Sequence, residues 1–362
     1  MSPADEGSAP ASICTVDAMD VVVEVRSDAP LPDEMRTRIR EAWKDCRVRS
    51  EAASERRVLE LHPDAFLDPE GGLSNLSTLV TLEALDALRG TRLLLHAAGV
   101  AAPDGRTIAL VGPSGRGKTT ASRHLGKHFG YVSDETVAVA DDLSVSPYRK
   151  PLSVVTEGLI HKEQIAPSTA GLHGLPDAPL RLVALTLIDR RPDSTTVGLE
   201  VIDLIDAVCE MTPQISYLPE MPAPLQRLAK LFDAIGAPTR LIYRDATELP
   251  ALVQQMFDAP PPRAATWTIP HRADSAGPWR ATAYDDAILV DGRACILRDG
   301  VVTALEQLGR LVWTMCLAGA SEEAIVEAAS AEFGEPAEGN ASETIRSTLE
   351  ELRTRGFIEA TR

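Results

Sequence analysis

The clearest chemical signal in the sequence is a glycine-rich loop between an apolar run and a predicted helix. Residues 107–111 predict a strand, and the chain then reads Gly112-Pro113-Ser114-Gly115-Arg116-Gly117-Lys118-Thr119. Glycines let successive backbone N–H groups converge on nucleotide phosphates, and the lysine and hydroxyl suit the terminal phosphates and Mg²⁺. We expect ATP or GTP to bind Gly112, Ser114, Gly115, Gly117, Lys118, Thr119 and Thr120, with Thr119 also holding Mg²⁺.

Two adjacent carboxylates follow the next predicted strand. Asp134 and Glu135 come soon after the helix that begins at the loop, where a strand end lies beside the phosphates of a bound nucleotide. One carboxylate in this position can hold Mg²⁺, and the other can accept the proton of an attacking hydroxyl. The alternative interpretation is a pair of ordinary strand-end carboxylates.

A rival metal carboxylate is Asp189, which ends the apolar strand 182–188 and precedes two arginines. We favour Asp134, since an aspartate beside arginines is more typical of a strand-end ion pair. Arg149 and Lys150 are candidates for phosphate contact, with solvated loop charges as the alternative.

The surrounding elements predict several folded units. We expect a disordered tail (1–12), a small α+β extension (13–72), an α/β P-loop domain (73–257), a proline-rich linker (258–278) and a C-terminal module (279–362). Within that module the pattern predicts a hairpin around Asp291-Gly292, followed by three helices. This is an α+β winged-helix layout, and we expect it to fold independently.

A histidine on the strand before the loop, His96, completes a pattern with the loop and the acidic pair. The stretch 96–135 thereby resembles the HPr kinase/phosphorylase family of bacterial serine kinases. The resemblance implies that Asp134 takes a hydroxyl proton, that His96 orients or tunes it, and that Glu135 binds metal. Glu135 stands where the family usually has aspartate, and the glutamate-rich signature of genuine HPr kinases is not found further on. Residues 147–153 resemble a segment of the shorter HPr-kinase-like proteins of peptide biosynthesis clusters.

The C-terminal module carries three short motifs, at 286–292, 305–317 and 349–358. They resemble PqqD-like domains, the recognition elements that bind leader sequences of ribosomally synthesised and post-translationally modified peptides (RiPPs). The resemblance implies that a leader adds a strand at the exposed edge of strand 293–297, against the third helix. The implied leader-binding residues are Arg293, Cys295, Ile296, Leu297, Ile345 and Leu349.

Charge and composition exclude several kinds of partner. The chain has 53 acidic and 36 basic side chains, a net charge of -17, which disfavours nucleic acid and anionic membranes. Winged helices commonly bind DNA, but residues 280–362 contain 8 basic and 15 acidic side chains. No apolar run approaches the roughly 20 residues of a membrane span, and no signal peptide is recognisable, so we expect a cytoplasmic protein.

These features favour a RiPP biosynthesis protein with two modules. Capture of the leader would raise the effective concentration of the remaining precursor near the nucleotide site. The expected reaction is phosphoryl transfer from ATP with Mg²⁺ to a serine or threonine of the precursor. The alternative is a non-catalytic protein whose P-loop domain is structural or regulatory, and which recruits the precursor to a separate tailoring enzyme.

Overall fold

The chain forms a mixed α/β structure, seen in a computed structural model that describes residues 11–48, 55–113, 117–155, 162–273, 277–336 and 340–361. The first strands are β1 (Ala11–Ala18), β2 (Val21–Ser27), β3 (Glu55–Leu61), β4 (Leu93–Ala101), β5 (Arg106–Val111), β6 (Gly130–Ser133), β7 (Thr136–Val139), β8 (Val145–Ser146), β9 (Leu152–Val154) and β10 (Glu163–Ile165). The later strands are β11 (Arg181–Arg190), β12 (Gly198–Val201), β13 (Ile215–Ser216), β14 (Thr239–Tyr243), β15 (Trp267–Thr268), β16 (Trp279–Ala281), β17 (Asp286–Val290), β18 (Arg293–Arg298), β19 (Val301–Leu305) and β20 (Ile358–Ala360). The helices are α1 (Asp33–Ala42), α2 (Pro69–Ala87), α3 (Lys118–Leu125), α4 (Leu204–Met211), α5 (Pro224–Ile235), α6 (Leu249–Asp258), α7 (Gln307–Leu317), α8 (Glu322–Phe333) and α9 (Ala341–Thr354).

Two compact units divide the chain. The first unit contains Met1–Glu200, Gln214–Tyr217 and Thr239–Pro261, and the second contains Val201–Pro213, Leu218–Pro238 and Pro262–Arg362. Helices α4 and α5 therefore belong with the C-terminal module, although they interrupt the sequence of the first unit. This division differs from the boundaries expected at 257 and 279. The unit to which α4 and α5 belong is decided by their contacts with segments that are distant in sequence.

The N-terminal part of the first unit is a small layer of three strands and two helices. Strand β1 pairs antiparallel with β2, and β2 pairs parallel with β3. Alternate valines of β2, including Val21, Val23 and Val25, are buried in a core shared with α1 and α2. Ala11 and Ser12, the last two residues of the predicted tail, belong to β1, whereas the rest of the predicted tail, 1–10, lies outside the described residues.

The main sheet of the first unit carries the glycine-rich loop. Nine strands of the described chain form it, in the order β12-β14-β11-β5-β4-β7-β8, with β6 and β13 also paired to β4. Strands β5, β11 and β14 run parallel and are largely apolar, as expected for strands covered on both faces. Helices α3 and α6 contribute to the core beside them.

The second unit is built on the sheet β15-β17-β18-β19. The predicted hairpin turn at Asp291-Gly292 is confirmed, and both residues have positive φ, 45° and 79°, as a tight two-residue turn requires. The three predicted helices are also confirmed, including the Ser321 N-cap, whose hydroxyl accepts from the Ala324 N–H at 3.3 Å. The predicted linker 258–278 contains β15, which pairs with β17, so part of this segment belongs to the sheet.

Within the part of the chain that the structure describes, no helix has both the length and the apolarity needed to span a lipid bilayer.

Candidate functional site

The glycine-rich loop connects β5 to α3, as the sequence predicts. Gly112 follows the last residue of β5, and Gly117 precedes the first residue of α3. Ser114 and Gly115, two of the predicted nucleotide-binding residues, lie outside the described residues. The described part of the loop consists of its two ends, Gly112-Pro113 and Gly117, and other segments contribute the remaining side chains of the site.

Both glycines at the ends of the loop are required by their surroundings. Gly117 has φ of +91°, in the left-handed region, and a Cβ there would lie 3.2 Å from the Tyr243 hydroxyl. A Cβ on Gly112 would come within 2.8 Å of Ile188 Cγ1. A side chain at position 112 would therefore require Ile188 to shift, and one at position 117 would be strained by the positive φ.

Lys118 is a buried cation at the start of α3. Its side chain is 7% exposed, and Nζ donates a hydrogen bond to the Gly112 carbonyl oxygen. Burial lowers the pKa of Lys118, and the negative charge of Glu135 opposes this only in part. Thr119 and Thr120 are exposed beside it in the first turn of α3. A helix N-terminus and a partly desolvated lysine together favour an anionic ligand.

The acidic pair occupies the two positions between β6 and β7, and strand β4 aligns it with His96. The Ala97 N–H donates to the Glu135 carbonyl oxygen at 3.1 Å. His96 Nδ1 lies 3.0 Å from the same oxygen, and because a carbonyl only accepts, Nδ1 carries the proton. Burial, followed by the charge of Lys118, lowers the pKa of His96. The imidazole is therefore held neutral in a fixed orientation.

One oxygen of the Asp134 carboxylate has no hydrogen-bond donor among the described residues. This oxygen, Oδ1, is buried. Burial, followed by the charge of Asp134 and a side-chain interaction with it, raises the pKa of the Tyr131 phenol. This hydroxyl is therefore the donor beside Asp134, although it too has no hydrogen bond of good geometry. A buried carboxylate oxygen without a donor is costly, and Tyr131 is the donor placed to satisfy Oδ1.

Glu135 is paired with a lysine from another segment. Lys150 Nζ lies 2.7 Å from Glu135 Oε2, and the lysine side chain is only 8% exposed. Burial acts to lower the pKa of Lys150, but the charges of Glu135 and Asp134 outweigh it and raise the pKa above its ordinary value. Lys150 therefore remains fully charged.

These side chains meet in one cavity of about 440 Å³, within the usual size range of small-molecule sites. The cavity is lined by His96, Gly117, Lys118, Thr119, Thr120, Asp134, Glu135, Lys150, Ser153 and Lys162. The structure thus brings together most of the nucleotide and catalytic residues predicted from the sequence. Ser153 and Lys162 were not predicted: Ser153 ends the segment 147–153 but was given no role there, and Lys162 belongs to no motif.

The rival carboxylate Asp189 and the candidate phosphate contact Arg149 are not among the residues that line the cavity. Asp189 Oδ2 lies 2.8 Å from Arg191 and 3.8 Å from Arg240, and Asp189 is not part of the cavity lining. Arg149 is buried and donates to the carbonyl oxygens of Tyr131 and His173 at 2.6 and 2.8 Å. These contacts give Arg149 a structural position rather than a phosphate contact.

The predicted leader-binding edge requires a correction. Strand β18 is not an edge strand, because β17 pairs with one side of it and β19 with the other. Cys295, Ile296 and Leu297 are each no more than 1% exposed. Ile345 and Leu349 are equally buried, in the core formed with α7 and α8. The hairpin was recognised from local signals, whereas the third strand that covers its edge, β19, was not.

Arg293, the remaining predicted leader contact, is held by acids of its own unit. Its guanidinium lies 2.9 Å from Asp203, 2.9 Å from Asp206 and 2.7 Å from Glu306. Burial acts against the charge, but these carboxylates outweigh it and raise the pKa of Arg293. Two of the three acids come from the α4 segment, so Arg293 fastens that helix to β18.

Comparison with known proteins gives one family match. Residues 287–358 match the family described as Coenzyme PQQ synthesis protein D (PqqD), which confirms the PqqD-like resemblance of the C-terminal module. No curated protein matches the chain.

Two solved structures are similar to parts of the chain. The structure of TbiB1 in complex with the TbiA(beta) leader peptide is 20% identical and covers 25% of this chain and 98% of its own, with a TM-score of 0.17. The structure of the Hpr(Ser) kinase/phosphatase from Coxiella burnetii is 11% identical and covers 46% of this chain and 93% of its own, with a TM-score of 0.26.

Proposed function

We propose that this protein takes part in RiPP biosynthesis, binding the leader of a precursor peptide and phosphorylating a serine or threonine of that peptide with ATP. The observation that supports the chemistry is the cavity that Lys118, at the start of α3, and the carboxylate residue Asp134 both line. The observation that supports peptide recognition is the PqqD family match at residues 287–358.

The proposed reaction transfers the γ-phosphoryl group of ATP. The peptide hydroxyl oxygen forms a bond to the γ-phosphorus, the bond from that phosphorus to the bridging oxygen breaks, and ADP leaves. The hydroxyl proton passes to the carboxylate of Asp134, which lines the cavity. His96, fixed on the Glu135 carbonyl through Nδ1, holds the turn that carries Asp134. Lys118 balances the negative charge on the phosphates.

The residues present also fit a magnesium ion. Mg²⁺ in phosphoryl-transfer sites is typically bound by one or two protein oxygens and by the phosphates of the substrate. Thr119 and Glu135 are the residues that would hold it here, Glu135 through the carboxylate oxygen that Lys150 does not contact. Bound Mg²⁺ would neutralise charge on the phosphate oxygens. The donor set supports this fit, because a hydroxyl and two carboxylates, from Thr119, Asp134 and Glu135, line the same cavity.

Leader binding is proposed at the edge of β19 rather than at β18. Among the described residues, β19 pairs with β18 alone, so one row of its backbone groups has no strand opposite. Val301, the first residue of this strand, is 63% exposed. An extended peptide can add a strand to such an edge, with backbone hydrogen bonds giving affinity. A leader bound there tethers the precursor to the chain that carries the nucleotide site.

The decisive experiment uses the cognate precursor peptide, incubated with the full-length protein, ATP and Mg²⁺. We expect the peptide to gain the mass of one phosphate. Asp134→Asn should reduce this rate by about 10²- to 10⁴-fold, the usual contribution of a general base, while ATP binding is retained. The matched control is Asp189→Asn, which alters a strand-end carboxylate outside the cavity and should leave the rate unchanged.

The experiment also tests the competing role. An unmodified precursor, combined with faster turnover of that precursor by a neighbouring tailoring enzyme, would support a recruiting protein without catalysis. Loss of phosphorylation in Asp189→Asn but not in Asp134→Asn would move the active carboxylate to β11.

A further inference from the structure

We infer that Lys150 is a second phosphate-binding residue of the nucleotide site and contacts the γ-phosphoryl group of ATP together with Lys118. The inference rests on the proposed function and adds a residue that lies outside the glycine-rich motif. Lys150 comes from the extended segment between β8 and β9, and it lines the same cavity as Lys118 and Thr119.

The position of Lys150 is fixed by residues other than its ion-pair partner. Tyr148 and Thr81 share a hydrogen bond of 2.7 Å between their hydroxyls, which anchors the segment to α2. Arg149 anchors it to the carbonyl oxygens of Tyr131 and His173. The backbone of this segment is therefore attached to α2 and to the segments of Tyr131 and His173 by contacts that do not involve Lys150. The lysine is not needed to hold the segment in place.

A buried lysine paired with one carboxylate is a weak source of stability. Removing an ammonium and a carboxylate from water costs about as much free energy as their attraction contributes, so the ion pair itself adds little stability to the fold. The Lys150 ammonium lies 2.7 Å from Glu135 at the wall of an open cavity, where a ligand can reach it. Glu135 thus acts as a positioning residue that keeps the ammonium directed at the site.

The charges of the cavity support a polyanionic ligand. Three lysines line it, Lys118, Lys150 and Lys162, against two carboxylates. Three ammonium groups against two carboxylates leave one net positive charge in the lining, which favours phosphates. A charge-assisted bond from Lys150 to the terminal phosphate would strengthen as negative charge moves during transfer.

The test compares ATP with ADP, because ADP lacks the group that Lys150 is inferred to contact. Isothermal titration calorimetry with Mg²⁺ is carried out on the full-length protein and on Lys150→Met. We expect ATP affinity to fall by about 10- to 100-fold, the contribution of one hydrogen bond to a charged group, while ADP affinity changes by less than about threefold. Lys150→Arg retains the charge and should keep most of the preference for ATP.

The controls separate this role from loss of charge or of fold. Lys127→Met removes the same charge from an exposed position outside the cavity lining and should leave both affinities unchanged. Thermal unfolding of each variant checks that it is folded, and if Lys150→Met does not fold, the ATP-to-ADP affinity ratio of Lys150→Gln decides instead.

Equal affinity of Lys150→Met and the wild type for ATP would overturn the inference and leave nucleotide binding intact. Equal losses for ATP and ADP would also overturn it, since they would show a general effect on the site. A wild type that binds neither nucleotide would refute the proposed kinase function and this inference with it.

Discussion

The buried carboxylate of Asp286, at the start of β17, accepts a hydrogen bond of 2.7 Å from the backbone N–H of Leu225 in the first turn of α5. The same carboxylate accepts from the Gln226 N–H at 3.1 Å and from the Gln226 side chain at 2.7 Å. Ala223, at the N-cap position, provides no side-chain cap, so Asp286 caps α5 from 61 residues away. Helix α5 is therefore attached to the sheet of the second unit, which also contains the PqqD-like module.

Asp286→Asn should weaken this attachment. The substitution replaces an acceptor oxygen and the negative charge at the helix N-terminus, and we expect a loss of about 1–3 kcal/mol. Hydrogen exchange of the amides of Leu225 and Gln226 should become faster, which mass spectrometry can measure. Asp291→Asn is the matched control, because Asp291 lies in an exposed tight turn that tolerates asparagine. Unchanged exchange in Asp286→Asn would contradict the capping role.

The C-terminal fragment 279–362 should not form the complete unit. Alternate residues of β18 face opposite sides, and Ala294 and Ile296 enter the core with α7. Cys295 and Leu297 face the other way and are nevertheless fully buried, because α4 and α5 pack against that side of the sheet. The fragment lacks both helices and would expose this apolar face.

We expect fragment 279–362 to bind the dye ANS strongly and the leader weakly, compared with the full chain. Fluorescence with ANS and an anisotropy titration with a labelled leader measure the two effects. A fragment that binds leader as tightly as the full chain, without ANS binding, would show that α4 and α5 are dispensable. Such a result would restore the independent module expected from the sequence.

The sequence predicted the features that depend on neighbouring residues better than the features that depend on contacts between distant segments. The turn at Asp291-Gly292 and the Ser321 cap depend on neighbouring residues, and both were recognised. The prediction that β18 is an edge strand was wrong, because the order of strands in a sheet depends on which later segment pairs with β18. The cavity shows the same contrast: Lys118 follows from a motif, whereas Lys162 does not.

Lys118→Ala tests the nucleotide site itself. The buried ammonium should bind phosphate oxygens, so its removal should weaken ATP binding by at least about tenfold in calorimetry with Mg²⁺. Lys127→Ala, at an exposed position outside the cavity, is the control and should bind as the wild type does. Undetectable binding to the wild type at millimolar ATP would reduce the glycine-rich loop to a structural turn.

The free edge of β19 can be tested at single backbone positions. A two-residue turn joins β18 to β19, which makes Arg298 and Val301 a hydrogen-bonded pair. Bonded and non-bonded pairs alternate along an antiparallel ladder, so Val302 directs its backbone N–H away from β18 and towards the free edge. Proline at such a position removes an outward donor and leaves the ladder with β18 in place.

Val302→Pro should therefore reduce leader affinity by about 3- to 10-fold or more, the value of one backbone hydrogen bond plus the obstruction by the ring. The measurement is an anisotropy titration of the full-length protein with a labelled leader, accompanied by thermal unfolding. Val302→Ala is the matched control, since it shortens the side chain and retains the N–H, and it should bind nearly as the wild type does. If Val302→Pro is folded and binds the leader with unchanged affinity, the leader does not add to this edge, because a new strand paired with β19 needs that donor.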